Sequence, residues 1–187
     1  MPDSLDKLVY SFVMEDVLKG FFIRVPPGYV ACVYDLGQGV LRRVYMPGLH
    51  LKIPFWQQAR LFNTQTLEYS ISNDFTPSHE YSLGDEPVRA QTADGRPLVI
   101  EGTVLLRLDV DQIPIIWQQI GEDFVAKIVR PTIRSRMRMI ASRYGRDDIM
   151  SLKREVVETD AKTELARIFY PRGIIVENVL LSEVREE

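Results

Sequence analysis

The sequence predicts an α/β fold of the α+β type, in which short, mostly antiparallel strands precede a hairpin and two helices. Between residues 29 and 53, short alternating segments are separated by turns that contain Gly and Pro. Asp94-Gly95 joins two further alternating segments, and residues 124–168 then carry apolar side chains at helical spacing. The chain has 187 residues, of which 45% are apolar, so it can form one or two small cores.

Residues 1–24 are predicted to form an amphipathic helix that ends before Pro26 and Pro27. Its apolar positions are Leu5, Leu8, Val9, Phe12, Val13, Val17, Leu18, Phe21 and Phe22. Two interpretations stay open, because such a helix can pack against a protein core or lie in a membrane interface. No window of 18 apolar residues occurs, so we predict no membrane-spanning helix.

The first β-rich region is predicted to cover residues 25–86. In its third strand, Leu49, Leu51 and Ile53 alternate with polar residues and are expected to face a core. Residues 72–86, which include His79, lack a period and are predicted to form a long loop between two subdomains.

The second subdomain is predicted to cover residues 87–184. It starts with a hairpin in which Asp94-Gly95 forms a type I′ turn. The returning strand places one set of alternating residues on a core: Leu98, Ile100, Gly102, Val104, Leu106 and Leu108. A helix over 124–144 is interrupted at Pro131, and a longer one follows a cap at Asp147-Asp148.

The chain is predicted to end on a strand over residues 174–184. Residues 185–187 are charged, and we expect them to begin a further helix that the sequence truncates.

The composition gives little support for catalysis. The net charge is −3, and one cysteine and two histidines cannot build a disulfide or a cysteine zinc site. No catalytic or phosphate-binding motif occurs. We therefore predict no catalytic residues, metal, cofactor or nucleic-acid partner, and a hydrolase that uses unrecognised carboxylates is the weakest alternative.

The most unusual charge pattern is a run of basic residues between 127 and 146 that contains no acidic residue. Arg130, Arg134 and Arg138 are spaced by four and should share one side of a helix, where like charges repel. We expect ion pairs within or between chains to offset this repulsion. The helix over residues 151–164 offers an acidic counterpart: Glu155, Glu158, Asp160 and Glu164.

The order of these segments resembles the SPFH (band 7, prohibitin-like and stomatin-like) family. The resemblance covers about residues 25–184 and rests on these motifs: Val25-Pro26-Pro27-Gly28-Tyr29-Val30, Gly37/Gly39, Pro47-Gly48-Leu49-His50, Ile53-Pro54-Phe55-Trp56, Thr92-Ala93-Asp94-Gly95, Tyr144-Gly145-Arg146 and Gly173-Ile174-Ile175-Val176. It implies a non-enzymatic domain of two subdomains, the first on a membrane and the second leading into a coiled coil. It also implies homo-oligomeric or paralogous rings around a membrane patch, some of which enclose AAA-type membrane proteases.

From these patterns we expect a peripheral or monotopic membrane scaffold that oligomerises through its SPFH domain. The alternative is a regulatory module that docks an AAA-type membrane protease and touches lipid only indirectly. The expected membrane contacts are Phe12, Phe21, Phe22, Phe55 and Trp56, although Phe55 and Trp56 could instead cap the core. The expected oligomer interface comprises Arg130, Arg134, Arg138, Glu155 and Glu158.

Overall fold

The computed structural model describes residues 20–73 and 82–186, and within these ranges it has the predicted α+β architecture. The strands are β1 (Phe22–Val25), β2 (Tyr29–Asp35), β3 (Gly39–Tyr45), β4 (Gly48–Leu51), β5 (Gln57–Asn63), β6 (Leu67–Ile71), β7 (Ser82–Asp85), β8 (Val88–Gln91), β9 (Pro97–Leu108) and β10 (Ile174–Glu186). The α-helices are α1 (Ile113–Gln119), α2 (Arg130–Ala141) and α3 (Arg154–Phe169).

The N-terminal half contains a three-stranded antiparallel sheet in the order β3-β2-β5 and a two-stranded antiparallel ribbon of β1 and β4. A small core joins them, because Ile23 and Val25 of β1 pack with Ala31 and Val33 of β2. The prediction that the N-terminal helix continues to residue 24 is therefore wrong from Phe22 onward. The alternating burial of β1 and its pairing with β4 favour a strand there. Residues 1–19 lie outside the described residues.

The larger sheet has the order β10-β9-β6-β7, and β8 also pairs with β9. β6 and β7 are parallel, and the other pairs are antiparallel. The predicted boundary between the two subdomains at residue 86 does not match the sheets. β6 and β7 precede residue 86 but belong to the larger sheet. Tyr69 and Ile71 of β6 are buried in the larger core, which holds these strands on β9. The expected loop over 72–86 also ends in a strand, while His79 lies outside the described residues.

β9 carries the predicted core face, since Leu98, Ile100, Val104, Leu106 and Leu108 are all buried. β10 covers one edge of β9 along most of its length, while β8 and β6 follow each other along the opposite edge.

Gly102 of β9 lies opposite Leu181 of β10, close to the β10 backbone. A Cβ atom at this position would lie 2.5 Å from the Leu180 carbonyl oxygen, so only glycine fits without a backbone shift.

The hairpin formed by β8 and β9 is confirmed, but its turn differs from the predicted type I′. The Gly95 amide donates to the Thr92 carbonyl at 2.9 Å, and the Thr92 amide donates to the Arg96 carbonyl at 3.0 Å. Gly95 has φ +75°, whereas the only non-glycine residue with positive φ in the described ranges is Phe55. A type I′ turn needs positive φ at both central residues, so this is a three-residue loop with Gly95 in the left-handed position.

The expected interruption at Pro131 is confirmed. Residues Val125–Val129 form a π-helical turn that runs directly into α2, and Pro131 lies in the first turn of α2, where its missing N–H costs little. The expected cap at Asp147-Asp148 is wrong for α3. A second π-helical turn (Asp148–Leu152) comes first, and α3 begins after Lys153.

Two helices cover the larger sheet, with α2 on β8 and α3 on β10, whereas α1 packs on β3 of the three-stranded sheet. β10 is longer than predicted and continues through Glu186, so residues 185–186 do not begin a helix. Arg185 and Glu186 pair with Val99 and Leu98 of β9, which extends the strand. Glu187 lies outside the described residues.

Candidate functional site: an exposed apolar rim

Exposed apolar side chains gather along β1, β4 and the segment between β4 and β5. We name this set the apolar rim; its members are Phe21, Phe22, Leu49, Leu51, Ile53, Phe55 and Trp56. Phe55 is 95% exposed, and Leu49 and Leu51 are each 67% exposed. A soluble surface tolerates single apolar residues, but a contiguous group of this kind marks an interaction site.

Strand pairing brings the two sequence-distant parts of the rim together. Phe22 lies directly opposite Leu51 in the β1–β4 ribbon, and the Lys52 amide donates to the Phe21 carbonyl at 2.8 Å. A Cβ atom on Gly20 would lie 3.5 Å from Pro54, so the start of the described chain adjoins the loop that carries Phe55. Phe12, the remaining predicted contact, lies outside the described residues.

The apolar rim shows that the predicted orientation of β4 is wrong, and it adds residues to the expected membrane contacts. Leu49, Leu51 and Ile53 were expected to face a core, but all three are exposed. The inward position of β4 instead holds His50, whose ring lies 4.9 Å from the Tyr45 ring. Alternation in a strand shows that it has two faces, but it does not show which face is covered. These three residues are therefore members of the candidate site that sequence reasoning missed.

Phe55 lies at the tip of the loop in a strained backbone conformation. Its φ is +63°, in the left-handed region that bulky residues rarely adopt. Phe55 is almost fully exposed and Trp56 is half-exposed, while the alternative that they cap a core beneath the N-terminal helix involves residues 1–19, which lie outside the described residues. Strain of this kind costs on the order of 1–3 kcal/mol and persists only where neighbouring contacts hold it.

Those contacts centre on the buried carboxylate of Asp35. Its Oδ1 accepts hydrogen bonds from the amides of Gly37 and Gln38, at 2.8 and 3.1 Å, and its Oδ2 accepts one from the Gln57 side chain at 2.9 Å. The Trp56 indole also donates to this carboxylate. The Gln57 bond, followed by that of Gly37, holds the pKa of Asp35 below its ordinary value.

Gln57 closes the loop from its other side. Its side-chain oxygen accepts a hydrogen bond from the Ile53 backbone amide at 3.0 Å, and the Gln57 backbone amide donates to the Ile53 carbonyl at 2.9 Å. The Leu36 amide donates to the Trp56 carbonyl at 3.1 Å. The turn after β2 and the loop before β5 therefore form one braced unit, and this unit presents Phe55 to solvent.

The basic run on α2 has partners that the sequence did not indicate. Asp85, whose side chain is 1% exposed, forms ion pairs with Arg130 at 2.6 Å and Arg134 at 3.1 Å. Tyr69 donates its hydroxyl to the same carboxylate at 2.8 Å. Burial raises the pKa of Asp85, but the bonds from Arg130 and Tyr69, with the nearby Arg134 charge, outweigh burial and lower that pKa overall.

The acidic helix pairs with a different arginine from the three expected. Arg143 forms ion pairs with Asp160 at 3.1 Å and Glu164 at 3.2 Å, both on α3. Arg138 donates to the Arg89 carbonyl at 3.1 Å. The helix is thus confirmed as an acidic counterpart of the basic run through Asp160 and Glu164, whereas among the described residues Glu155 and Glu158 form no ion pair with the three arginines expected. Glu158 instead accepts from the Leu181 amide at 2.8 Å, because α3 packs on β10.

In the two described ranges, no helix is long and apolar enough to cross a membrane.

Comparisons with known proteins agree with the fold. The family model described as "SPFH domain / Band 7 family" matches residues 23–187. Prohibitin-1 of Schizosaccharomyces pombe is 23% identical over 90% of this chain and 54% of its own length. Prohibitin-7, mitochondrial, of Arabidopsis thaliana is 23% identical over 86% of this chain and 52% of its own. Prohibitin 1 of Mus musculus is 21% identical over 90% of this chain and 56% of its own.

The chain thus spans about half the length of the curated relatives it matches. The matched range includes both sheets and all three α-helices, as well as the loop that carries Phe55. The resemblance seen in the sequence is confirmed, and the chain belongs to the SPFH domain / Band 7 family.

Proposed function

We propose that this protein is a peripheral or monotopic membrane scaffold that contacts the bilayer through the apolar rim and assembles with further copies or a paralogous subunit. The observation that carries the proposal is the exposure of Leu49, Leu51 and Phe55 beside Phe22. Aromatic and aliphatic side chains grouped at one edge of a domain are suited to the boundary between headgroups and acyl chains.

The charge around the rim supports contact with anionic lipid. Residues 20–67 contain five Lys or Arg and one acidic residue, Asp35, although the whole chain is net negative. Arg24 lies opposite Leu49 in the β1–β4 ribbon, and Lys52 adjoins Leu51. Each basic residue near an anionic leaflet contributes about 1 kcal/mol, so apolar insertion and charge attraction add together at this surface.

Flotation with liposomes tests the proposal. Changing Leu49, Leu51 and Phe55 to Ser removes most of the exposed apolar surface without touching the Asp35 brace. Full burial of each side chain contributes about 1.5–3 kcal/mol, so even partial insertion predicts a loss of roughly a hundredfold in partitioning. The matched control changes Ile115, Tyr170 and Leu180 to Ser, since these are exposed apolar residues outside the rim.

The control should float like the unchanged protein. Equal flotation of the rim variant, with its fold intact by circular dichroism, would contradict the proposed membrane contact. The alternative, a module that docks an AAA-type membrane protease with only indirect lipid contact, predicts that the unchanged protein does not float with protein-free liposomes.

For assembly, we propose that the exposed side of α3 contributes to the contact between copies. Glu155 and Val156 are exposed there, and Val156 is apolar at 54% exposure. Of the predicted interface residues, Arg130 and Arg134 already pair with Asp85, and Glu158 is bonded to β10. Glu155 is thus the residue whose reversal should alter assembly with the smallest effect on the fold.

Light scattering after size-exclusion chromatography tests this contact. We expect Glu155→Lys with Val156→Asp to shift the mass toward the monomer, while Asp111→Lys, an exposed charge reversal on another element, leaves it unchanged. An unaltered mass for the α3 variant would place the contact elsewhere.

A further inference from the structure

Four arginines from three separate elements line one open cleft. Arg134 and Arg138 come from α2, Arg89 from β8 and Arg185 from the end of β10, and the cleft has a volume of about 610 Å³. The other lining residues are Asn73, Glu86, Pro87 and Val99. Glu86 is thus the only acidic side chain among the lining residues that the structure describes.

Two of these arginines are held in place by buried or nearly buried carboxylates. Arg134 pairs with Asp85 at 3.1 Å and also donates to the Glu86 carbonyl at 2.9 Å. Arg185 pairs with Glu101, which is 6% exposed and also accepts from the Ser72 hydroxyl at 3.0 Å. These contacts order the two guanidinium groups while leaving Arg185 44% and Arg134 23% exposed.

Arg138 supplies a further positive charge to the cleft. Its Nε donates to the Arg89 carbonyl, which fixes the side chain but carries no charge, and in residues 20–73 and 82–186 it has no carboxylate partner. Each guanidinium has five N–H donors in a planar fork, so donors remain for a ligand after these bonds are made. Planar guanidinium groups that are held in place and line one cleft are suited to binding phosphate oxygens.

We propose that this cleft binds a ligand with two or more phosphate groups on a small polar body. A single phosphate would occupy only a fraction of the cleft, and four guanidinium groups from three elements can contact separate phosphates at once. The lining offers little apolar surface, which excludes a lipid tail or an apolar peptide as the group recognised. The site is distinct from the apolar rim and does not depend on the proposed membrane contact.

The same chemistry can come from a soluble polyphosphorylated compound or from a phosphorylated lipid headgroup. Inositol hexakisphosphate serves as the soluble probe in isothermal titration calorimetry. Vesicles of phosphatidylcholine with and without phosphatidylinositol bisphosphate serve as the lipid probe, and here the protein carries the Leu49, Leu51 and Phe55 changes so that the rim does not contribute. Binding to the soluble probe alone identifies a soluble ligand, and binding to both identifies a headgroup as an accessible source.

The variants separate the cleft from general charge effects. Arg138→Gln combined with Arg89→Gln should weaken binding of inositol hexakisphosphate at least about tenfold, because two charge-assisted contacts are lost. Arg172→Gln is the matched control, since Arg172 is also exposed and donates to a backbone carbonyl, that of Ile168. Binding should also weaken as the salt concentration rises.

Three results would overturn the proposal. One is the absence of binding to either probe by the folded, unchanged protein. Another is an equal loss of affinity in the Arg172 control. The third is a change of oligomeric mass in the Arg89/Arg138 variant with no phosphate binding, which would show that acidic residues of a second copy occupy the cleft.

Discussion

Asp35 and Gln57 are joined by a 2.9 Å hydrogen bond that links the turn after β2 to the loop before β5. Through Gln57, the carboxylate reaches the Ile53 amide and carbonyl, and through its other oxygen it holds the Gly37 and Gln38 amides. The loop that carries the exposed Phe55 is therefore held in place by these hydrogen bonds. A preformed loop loses less conformational freedom when it enters an interface. The hydrogen bonds around Asp35 therefore favour contact through the apolar rim.

Asp35→Asn should loosen this loop. Asparagine keeps the shape but removes the charge that four donors share, so we expect a lower melting temperature at neutral pH and weaker flotation with liposomes. Because the folded-state pKa of Asp35 is lowered, its stabilising effect is present above the ordinary carboxyl pKa of about 4 and is lost as the pH falls through the lower folded-state value.

The melting temperature of the variant should thus depend less on pH below about 4 than that of the unchanged protein. Identical melting curves of the two proteins across the acid range would contradict the role of Asp35 as the brace.

Asp85→Asn should destabilise the packing of α2 on the second sheet. The change leaves Arg130 and Arg134 without their buried partner, and removing one member of a buried pair costs about 3–5 kcal/mol. Arg130 is 57% exposed and can be solvated, so we expect about 2–4 kcal/mol, measured as the free energy of unfolding in urea. Tyr69→Phe removes one neutral donor from the same carboxylate and should cost about 1 kcal/mol.

The lowered pKa of Asp85 also predicts how the destabilisation by Asp85→Asn changes with pH. Its contribution is complete at neutral pH and disappears as the carboxylate is protonated on acidification, so the difference between Asp85→Asn and the unchanged protein should shrink in acid. A difference that does not change with pH would contradict the charge-based explanation.

Gly102→Ala should force β9 and β10 apart, because the added Cβ would lie 2.5 Å from the Leu180 carbonyl oxygen. We expect a loss of about 2–4 kcal/mol in the free energy of unfolding, as for other overpacked sites. Gly145→Ala is the control, since a Cβ there meets nothing within 4 Å. Equal stability of the two variants would show that the strands adjust freely.

Gly95→Val tests the hairpin turn. A β-branched residue resists the φ of +75° that Gly95 adopts, so we expect the free energy of unfolding to fall by about 1–2 kcal/mol or more. An unchanged melting temperature would contradict the assignment of Gly95 to the left-handed position.

Local patterns predicted the hairpin, the interruption at Pro131 and the final strand, because each depends on residues close together in sequence. The pairing of Asp85 with Arg130 depends on residues far apart along the chain, and no local period reports it. The local sequence pattern also did not determine the type of turn between β8 and β9. Asp94-Gly95 fits two loop geometries, and the Thr92–Arg96 pairing selects the three-residue form.

For the candidate site, the sequence indicated Phe55, Trp56, Phe21 and Phe22 but assigned their neighbours on β4 to a core. A strand with one apolar face is equally consistent with an inward and an outward orientation of that face. Among the strands that the structure describes, β4 pairs only with β1, at the margin of the smaller core, and Leu49 and Leu51 face outward. Only the tertiary structure contains this information.

Depth-dependent quenching of tryptophan fluorescence tests the central claim most directly, because the chain has two tryptophans, Trp56 in the rim and Trp117 on α1. Trp117→Phe leaves Trp56 as the reporter, and Trp56→Phe leaves Trp117. With vesicles that contain brominated acyl chains, we expect strong quenching of Trp56, greatest for bromines near the headgroups, and little quenching of Trp117. Equal quenching of both, or none of Trp56 in vesicle-bound protein, would contradict membrane contact through the apolar rim.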